Sequence, residues 1–225
     1  METSIYDKTL VKSRATLVKR VIAGIICLVF GILLLFLQAE AFGVLTSLFA
    51  VFLLGWGIVG QLLLAKHQRR MAAFGVDDAA KQSFDREYND RRLLAAPGHK
   101  SLWDKNVGTP HAALTQSWFY NRKPASTVLL PLRELVWYYK RVARQDGGAT
   151  NLVMLIFSDG SVYSVFGGDQ SLLGHTDTTG EWLRALQTLC PHALSGFSEA
   201  RDKAYMKDRL AFAADIKKGN FYFDK

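Results

Sequence analysis

Two long runs without a charged residue constrain this chain more than any other feature. The first covers residues 21–37 and the second covers residues 42–65. A helix needs about 20 apolar residues to cross a hydrocarbon core of roughly 30 Å. The first run lies at the short end of that range, and the second exceeds it. The runs therefore predict two membrane-spanning helices, at 21–38 and 42–65.

About four residues separate the two runs, so the spans must be antiparallel and form a transmembrane hairpin over 21–65. Basic residues flank the hairpin on both sides: Lys8, Lys12, Arg14, Lys19, Arg20, Lys66, Arg69 and Arg70. Lys and Arg concentrate at the cytoplasmic ends of membrane helices. We therefore expect a multi-pass protein of the cell membrane, in contact with the lipid bilayer, with both termini in the cytoplasm. Residues 1–20 form its cytoplasmic N-terminal segment.

A cleaved signal peptide is the alternative for the first run. Ala39, Glu40 and Ala41 resemble a small-x-small cleavage site, and a basic region precedes the run. Both the run and the basic region are long for a signal peptide, and a second spanning run follows at once. Cleavage would still leave the second span to return the chain to the cytoplasm, so the expected location of the large domain is unaffected.

Glycines punctuate both predicted spans. Gly24 and Gly31 lie in the first span, and Gly55 and Gly60 lie in the second. Small residues let helix backbones approach closely, so these four glycines are the candidate helix-packing positions. They fit packing within one hairpin or packing between copies in a homo-oligomer. Neither span contains Asp, Glu, Lys, Arg or His, so the usual marks of an ion path or proton relay are missing.

The charge and the chemistry-bearing residues exclude several classes of function. The net charge is +8, but much of the excess flanks the hairpin and accompanies no recognition motif, so no nucleic-acid partner is expected. Cys27 and Cys190 lack the spacing of a disulfide framework or a metal site. The five histidines are scattered, and neither G-x-S-x-G nor H-E-x-x-H occurs. We therefore predict no catalytic residue, no cofactor and no metal ligand.

Residues 66–108 are predicted to be a helical connector. Ala80, Phe84 and Tyr88 recur at helical spacing within the charged stretch 77–94, which indicates a helix with a thin apolar stripe. A solvated connector is the favoured interpretation of this helix. Pro and Gly at positions 97 and 98 break the pattern, and a loop is expected up to position 110.

Residues 109–191 carry a pattern typical of strands followed by one helix. Alternating aromatic and branched residues predict strands at 112–120, 127–130 and 135–142. Asp159 and Gly160 between two β-prone arms predict a hairpin with a type I′ turn. Thr178 and Glu181 fit a capping box for a helix that packs on the open sheet face through a short apolar stripe: Trp182, Leu183, Leu186 and Leu189.

Residues 192–225 are predicted to form a helical tail. The helical pattern runs from 198 to 217 and is weak, because it is rich in Ala and charged residues. Nothing in the sequence of the tail determines where it docks.

Three stretches resemble parts of the pleckstrin-homology-like (PH-like) superfold. TVLLPLRELVWYYKRV resembles a strand and corner of bacterial PH-like domains, LIFSDGSVYSV their penultimate hairpin, and EWLRALQTL their terminal helix. In small bacterial membrane proteins of this kind, a largely uncharacterised group, the domain follows two transmembrane helices. The resemblance covers residues 110–190. It implies an α+β protein: a transmembrane α-hairpin plus an antiparallel sheet or partial barrel capped by a C-terminal helix. It implies no catalytic residue.

A basic rim is the candidate site for a partner. Lys140, Arg141 and Arg144 follow Trp137 and Tyr138 on one predicted strand. Near an anionic leaflet each basic residue adds about 1 kcal/mol of attraction. The alternative interpretation is that these charges keep a strand edge soluble.

Three functions follow from these observations. The preferred hypothesis is a membrane-anchored, non-catalytic binding or scaffolding module that presents its cytoplasmic domain to a protein partner or to anionic lipid headgroups. The second is a structural subunit of an oligomeric membrane complex, assembled through the glycine-bearing helices. The third is a membrane-associated enzyme, motivated only by the polar loop at 167–180.

Overall fold

The fold of the chain is mixed α+β. The computed structural model describes residues 4–37, 40–90, 94–96, 112–122, 127–145, 148–169 and 178–221. These ranges contain six α-helices and two four-stranded sheets, and neither sheet closes into a barrel. Contacts divide the chain into two compact units: the first comprises Met1–Asp77 and Asn121–Val128, and the second comprises Asp78–Tyr120 and Leu129–Lys225.

Two long helices dominate the first unit, α1 (Ile5–Phe36) and α2 (Glu40–Ala73). Helix α1 begins before its apolar run, and helix α2 ends after its own. Capping residues outside the runs set these two ends. The Ser4 side chain accepts a hydrogen bond from the Asp7 N–H at 3.0 Å and caps α1. Gly75, with φ of 71°, ends α2 in the left-handed conformation that favours glycine.

Both helices are long and apolar enough to cross a membrane. In their most apolar windows only 17% and 22% of the residues are buried. The core helix of a soluble protein buries most of such a window, so the exposed apolar surface indicates membrane association.

The first sheet has the strand order β1-β2-β3-β4 and follows the helix α3. Its elements and the helix have these bounds: α3 Asp78–Asp90, β1 Leu94–Ala96, β2 Ala112–Leu114, β3 Trp118–Asn121 and β4 Val128–Pro131. The helix is shorter than its sequence pattern predicts, and Leu94–Ala96 pairs antiparallel with β2 instead of continuing it.

Helix α3 is packed and not a solvated connector. Phe84 is fully buried, and its ring centroid lies 5.3 Å from that of Tyr120. Glu87 also accepts two hydrogen bonds at 2.8 Å, from the Thr115 hydroxyl and the Ser117 N–H. These bonds hold a turn at 115–117, which divides the predicted strand 112–120 into β2 and β3.

The second sheet has the order β7-β6-β5-β8 and follows a short 3₁₀ helix at Leu132–Glu134. Its strands are β5 Leu135–Gln145, β6 Gly148–Phe157, β7 Val162–Asp169 and β8 Leu194–Ser195. Strands β5, β6 and β7 are antiparallel neighbours. Strand β8 is parallel to β5 and pairs only with Trp137 and Tyr138.

The predicted β6–β7 hairpin is present, but its turn is not type I′. The Phe157 N–H donates to the Ser161 carbonyl at 3.0 Å, so three residues form the loop and not two. Gly160 has φ of 71°, as the last residue of a type I turn followed by a G1 bulge requires. The extra loop residue sets the register that pairs Leu155 with Tyr163.

Helix α4 (Thr179–Leu189) contacts β5, β6 and β7, as predicted. Trp182 and Leu186 are its buried apolar residues. The predicted capping box does not form, because the Thr178 side chain makes no cap hydrogen bond and the Thr178 carbonyl closes the first turn instead.

The tail forms two helices, α5 (Glu199–Lys207) and α6 (Arg209–Lys217), where the sequence predicts one. Asp208 separates them, and its side chain accepts hydrogen bonds from two N–H groups at the start of α6. Both helices pack on the face of the second sheet that carries Trp137: the shared core contains Val136, Trp137, Tyr139, Met154, Ile156, Tyr205, Phe212, Ala213 and Ile216. Tyr138 points to the other face and lies beside Cys190, which ends α4.

Candidate functional site: the outer edge of β5

The charged residues of the predicted basic rim lie on β5. Lys140 and Arg141 are exposed. Arg144 belongs to the same strand, but its side chain lies outside what the structure describes. The strand therefore presents at least two cations in succession, on opposite faces of the sheet.

Trp137 and Tyr138, predicted as contact residues of this rim, are instead core residues. Trp137 is fully buried, its Nε1 donates to the Gly196 carbonyl at 2.8 Å, and its ring packs against Phe212. Tyr138 is also buried, and burial raises its pKa. Both faces of β5 are covered here, so neither ring can contact a partner.

The outer edge of β5 is open beyond these two residues. Strand β8 stops after Ser195, so within the described ranges no strand pairs with the edge at Arg141, Val142 and Ala143. Val142 is 48% exposed. An uncovered edge presents backbone N–H and C=O groups that can pair with another extended chain. Sequence patterns missed this edge because a two-residue strand leaves no periodic signal.

The open edge is held on a rigid support. On its inner side β5 pairs with β6 along almost its whole length, from Leu135 to Gln145. Tyr139 lies just before the open edge and packs against Phe197, at a centroid distance of 5.3 Å. Burial and the charge of Asp202 raise the pKa of Tyr139, and nearby Arg141 opposes this. Arg141 thus lies close to the core as well as to solvent.

A second feature of the same unit is an open depression of about 500 Å³ beside the β2–β3 turn. Its lining is Gln116, Ser117, Trp118, Pro131, Leu132, Arg133, Leu189, Pro191 and His192. These lining residues include two basic side chains and no carboxylate. The Trp118 Nε1 is buried and has no hydrogen-bond partner among the residues that the structure describes. The lining could hold a small anionic or amphipathic group, but it offers no acid–base pair.

The hairpin glycines fall into two groups. A methyl group added at Gly24 would lie 2.7 Å from the Leu54 side chain, and one added at Gly31 would lie 2.5 Å from Ser47. Gly60 lies equally close to Leu17. These three glycines therefore sit where α1 and α2 touch. Gly55 has nothing within 4 Å, so it takes no part in this contact.

Little in the described structure suggests catalysis or metal binding. The part of the polar loop at 170–177 lies outside the described residues. Elsewhere in the described chain no group of three or more His, Cys, Asp or Glu residues could hold a metal ion. Burial raises the pKa of Cys190 to about 12, so its thiol is a poor nucleophile at neutral pH.

Comparisons with known proteins add no assignment. A scan against protein-family models finds no match, and searches of curated proteins and of solved structures find none either.

Proposed function

We propose that the protein is a membrane-anchored, non-catalytic binding module that captures an extended acidic segment of a protein partner along the edge of β5. The open edge at Arg141–Ala143 is the observation that carries this proposal. Added strands gain affinity from backbone hydrogen bonds and specificity from flanking side chains. Lys140 and Arg141 favour carboxylates in the added segment.

The anchor is the α1–α2 hairpin, which spans the membrane and leaves both termini in the cytoplasm. The support for this orientation is the row of basic residues on the terminal side of both apolar runs. A reporter fused after Lys225 tests it, because it should be active only in the cytoplasm. Activity of the reporter outside the cell would contradict the orientation.

We also propose that the second unit is PH-like. The order of strands, hairpin and following helix α4 supports the kinship. The helices α5 and α6 are additions that a minimal domain of this kind does not need. The proposed binding at the β5 edge does not depend on this kinship.

A photo-crosslinking experiment tests the binding proposal. A photoreactive amino acid replaces Val142 in the full chain in cells, and the same replacement at Met206, which is 63% exposed on α5, is the control. We expect a discrete crosslinked protein from position 142 only. The double variant K140E/R141E should abolish it, because the reversed charges repel an acidic segment. The matched double variant K203E/K207E, on exposed α5 positions, should leave it unchanged.

Two results would contradict the proposal. Crosslinking that survives K140E/R141E would show that the basic residues do not recognise the partner. Crosslinking to phospholipid alone would show that the rim binds anionic headgroups and not a protein.

A structural subunit of an oligomeric complex is the second candidate, and Gly55 is the observation that favours it. Its open Cα lies on an exposed face of α2, where a second helix could approach. G55L should then dissociate the assembly without opening the hairpin. A protein that is monomeric in mild detergent before any substitution would end this idea.

A further inference from the structure

The contacts between α1 and α2 fix which residues of the hairpin lie at the same level. Gly31 lies beside Ser47, Gly24 beside Leu54, and Val21 beside Gly57. Nearer the termini Leu17 contacts Gly60, and the Arg14 guanidinium donates to the Gln68 side chain at 2.8 Å. The helices therefore pair from Arg14 to Gly31 on α1 and from Ser47 to Gln68 on α2, and the first residue of the first apolar run lies level with Gly57.

In this arrangement the start of the first apolar run does not lie level with the end of the second. The first run begins at Val21, just after Lys19 and Arg20, whereas the second continues to Ala65. The stretch 58–65 consequently lies opposite residues 13–20, which include Arg14 as well as Lys19 and Arg20. A membrane boundary at Ala65 would draw these cations into the hydrocarbon core. A boundary at Gly57 would leave them outside and expose a few aliphatic residues of α2.

The relative costs decide between the two boundaries. Inserting a Lys or Arg near the centre of a membrane helix costs roughly fivefold more than inserting a Leu or Ile gains. Cations at 14, 19 and 20 cannot all reach the headgroups if the boundary lies at Ala65, because Arg14 would lie close to that boundary but Arg20 about 9 Å below it. The boundary at Gly57 is therefore favoured.

Trp56 and Arg20 have the chemistry of a membrane interface. The Arg20 guanidinium lies 5.8 Å from the Trp56 ring centroid, and Trp56 is 55% exposed. Tryptophan concentrates where hydrocarbon meets headgroups, and Arg binds phosphate with its planar fork. The sequence places no carboxylate in α1 or α2 between Asp7 and Asp77 except Glu40, at the far end of the hairpin. Within the hairpin the positive charge at this level therefore faces no carboxylate.

A polar contact sets an outer limit to the core, because it keeps the hydrocarbon from extending past Ser13, which lies level with Ala65. Ser13 lies about 10 Å along α1 from Arg20, and its hydroxyl is 2.9 Å from the Thr127 hydroxyl in a buried pair. Thr127 belongs to the short segment 121–128, which also carries Arg122. A polar segment of this kind cannot enter hydrocarbon, so Ser13 must lie outside the core.

We propose that phospholipid headgroups contact Lys19, Arg20 and Trp56, that the hairpin leaves the hydrocarbon at this level, and that 5–20 and 58–73 form a paired stalk outside the core. The proposal rests on the membrane anchoring proposed above. On this proposal the predicted second span, 42–65, is shorter: only its first part, to about Gly57, lies in hydrocarbon.

Labelling of an introduced cysteine by a membrane-impermeant maleimide tests the boundary. The full chain carries Cys27→Ala, keeps the buried Cys190, and is reconstituted in vesicles of phosphatidylcholine and phosphatidylglycerol opened by freeze–thaw. Leu62→Cys reports on the stalk, and Phe49→Cys, similarly exposed on α2, reports on the core. Each rate is normalised to that in SDS. We expect Leu62→Cys to react at least about tenfold faster than Phe49→Cys.

A second variant tests whether Lys19 and Arg20 set the membrane boundary. Replacing Lys19 and Arg20 by Leu removes the charges that hold the boundary, so α1 should sink towards Arg14 and Leu62→Cys should become as slow as Phe49→Cys. Unchanged labelling in this variant would overturn the role of the two cations.

The remaining outcomes separate the boundary from the anchor. If the protein pellets with vesicles after carbonate washing but Leu62→Cys reacts as slowly as Phe49→Cys, the boundary is wrong and the anchor stands. If the protein stays in the supernatant and both positions react quickly, anchoring fails and the boundary fails with it.

Discussion

The hairpin and the second unit use opposite means to bring elements together. Between α1 and α2 the contacts run through Gly24 and Gly31, where a missing side chain lets the partner helix approach. In the second unit the contacts run through the largest side chains, with Trp137, Tyr205 and Phe212 packed in one core.

The difference follows from what surrounds each region. Water drives apolar side chains together, so large buried rings stabilise the second unit. In the proposed membrane setting of the hairpin, hydrocarbon provides no such drive, so close backbone contact through small residues must hold α1 and α2 together. The large apolar residues of the hairpin accordingly point outward, as Phe42 does with 71% exposure.

The largest expected effect tests the aromatic core. Phe212→Ala should destabilise the second unit by about 3–5 kcal/mol, because it leaves a cavity under the sheet. Leu210→Ala, on the same helix but 63% exposed, should change stability by less than about 0.5 kcal/mol. Urea unfolding of the full chain in micelles, followed by tryptophan fluorescence, measures both. Equal effects would show that α6 is not docked as described.

Gly31→Leu tests whether close backbone contact at a glycine holds α1 and α2 together. The new side chain meets the Ser47 backbone N at 3.0 Å as well as its side chain, so the helices must separate. We expect a loss of about 1–3 kcal/mol of packing and slower migration in detergent gels, since an open hairpin binds more detergent. Gly55→Leu is the control for the hairpin contact, because nothing lies near its Cα, so its monomer should migrate as the wild-type monomer does. A compact Gly31→Leu hairpin would remove the basis of the comparison.

The two regions also differ in how much of them the sequence predicts. Uncharged runs report directly on helices that can cross a membrane, so the existence of the hairpin follows from composition alone. The lengths of α1 and α2 do not follow from the apolar runs, because they depend on Ser4 and Gly75, which lie outside the runs.

In the second unit local signals predict elements but not what covers them. Alternation along β5 correctly separates Trp137 from Tyr138, yet it cannot reveal that the tail helices cover the face that carries Trp137. The docking of α5 and α6 joins residues far apart in the chain, and no local period encodes it. The open edge at Arg141 depends on where the two-residue strand β8 stops, which is equally invisible in the sequence.

Gly160→Ala tests whether the second unit also requires a glycine, here for its backbone conformation and not for a helix contact. Its φ of 71° is unfavourable for alanine, and the new Cβ would lie 2.9 Å from the Arg209 Cβ at the start of α6. We expect a loss of about 1–2 kcal/mol. Gly180→Ala in α4, with open space around it, should instead stabilise by about 0.5–1 kcal/mol. Thermal unfolding in micelles distinguishes the signs, and a matching sign at both positions would contradict the turn geometry.

The smallest expected effect concerns the ion pair between Lys217 of α6 and Glu134 of the 3₁₀ helix. The Glu134 carboxylate accepts hydrogen bonds from the Lys217 ammonium and the Ser158 hydroxyl. Burial alone would raise the pKa of Glu134, but these two bonds and the charge of Lys217 lower it below its ordinary value of 4.5. Lys217 is 45% exposed, so solvent screens the pair and Glu134→Gln should cost at most about 1 kcal/mol at pH 7.

The lowered pKa of Glu134 determines the pH range in which this stabilisation is lost. A lowered carboxyl pKa contributes stability that is complete above pH 4.5, because both the folded and unfolded states are then ionised. As the pH falls below 4.5 the unfolded state takes up the proton first, and the contribution disappears once the folded state is protonated too. The melting temperatures of the wild type and Glu134→Gln should therefore differ at pH 7 and converge below pH 4.5. A difference that stays constant through this range would show that the substitution acts through packing and not through the charge.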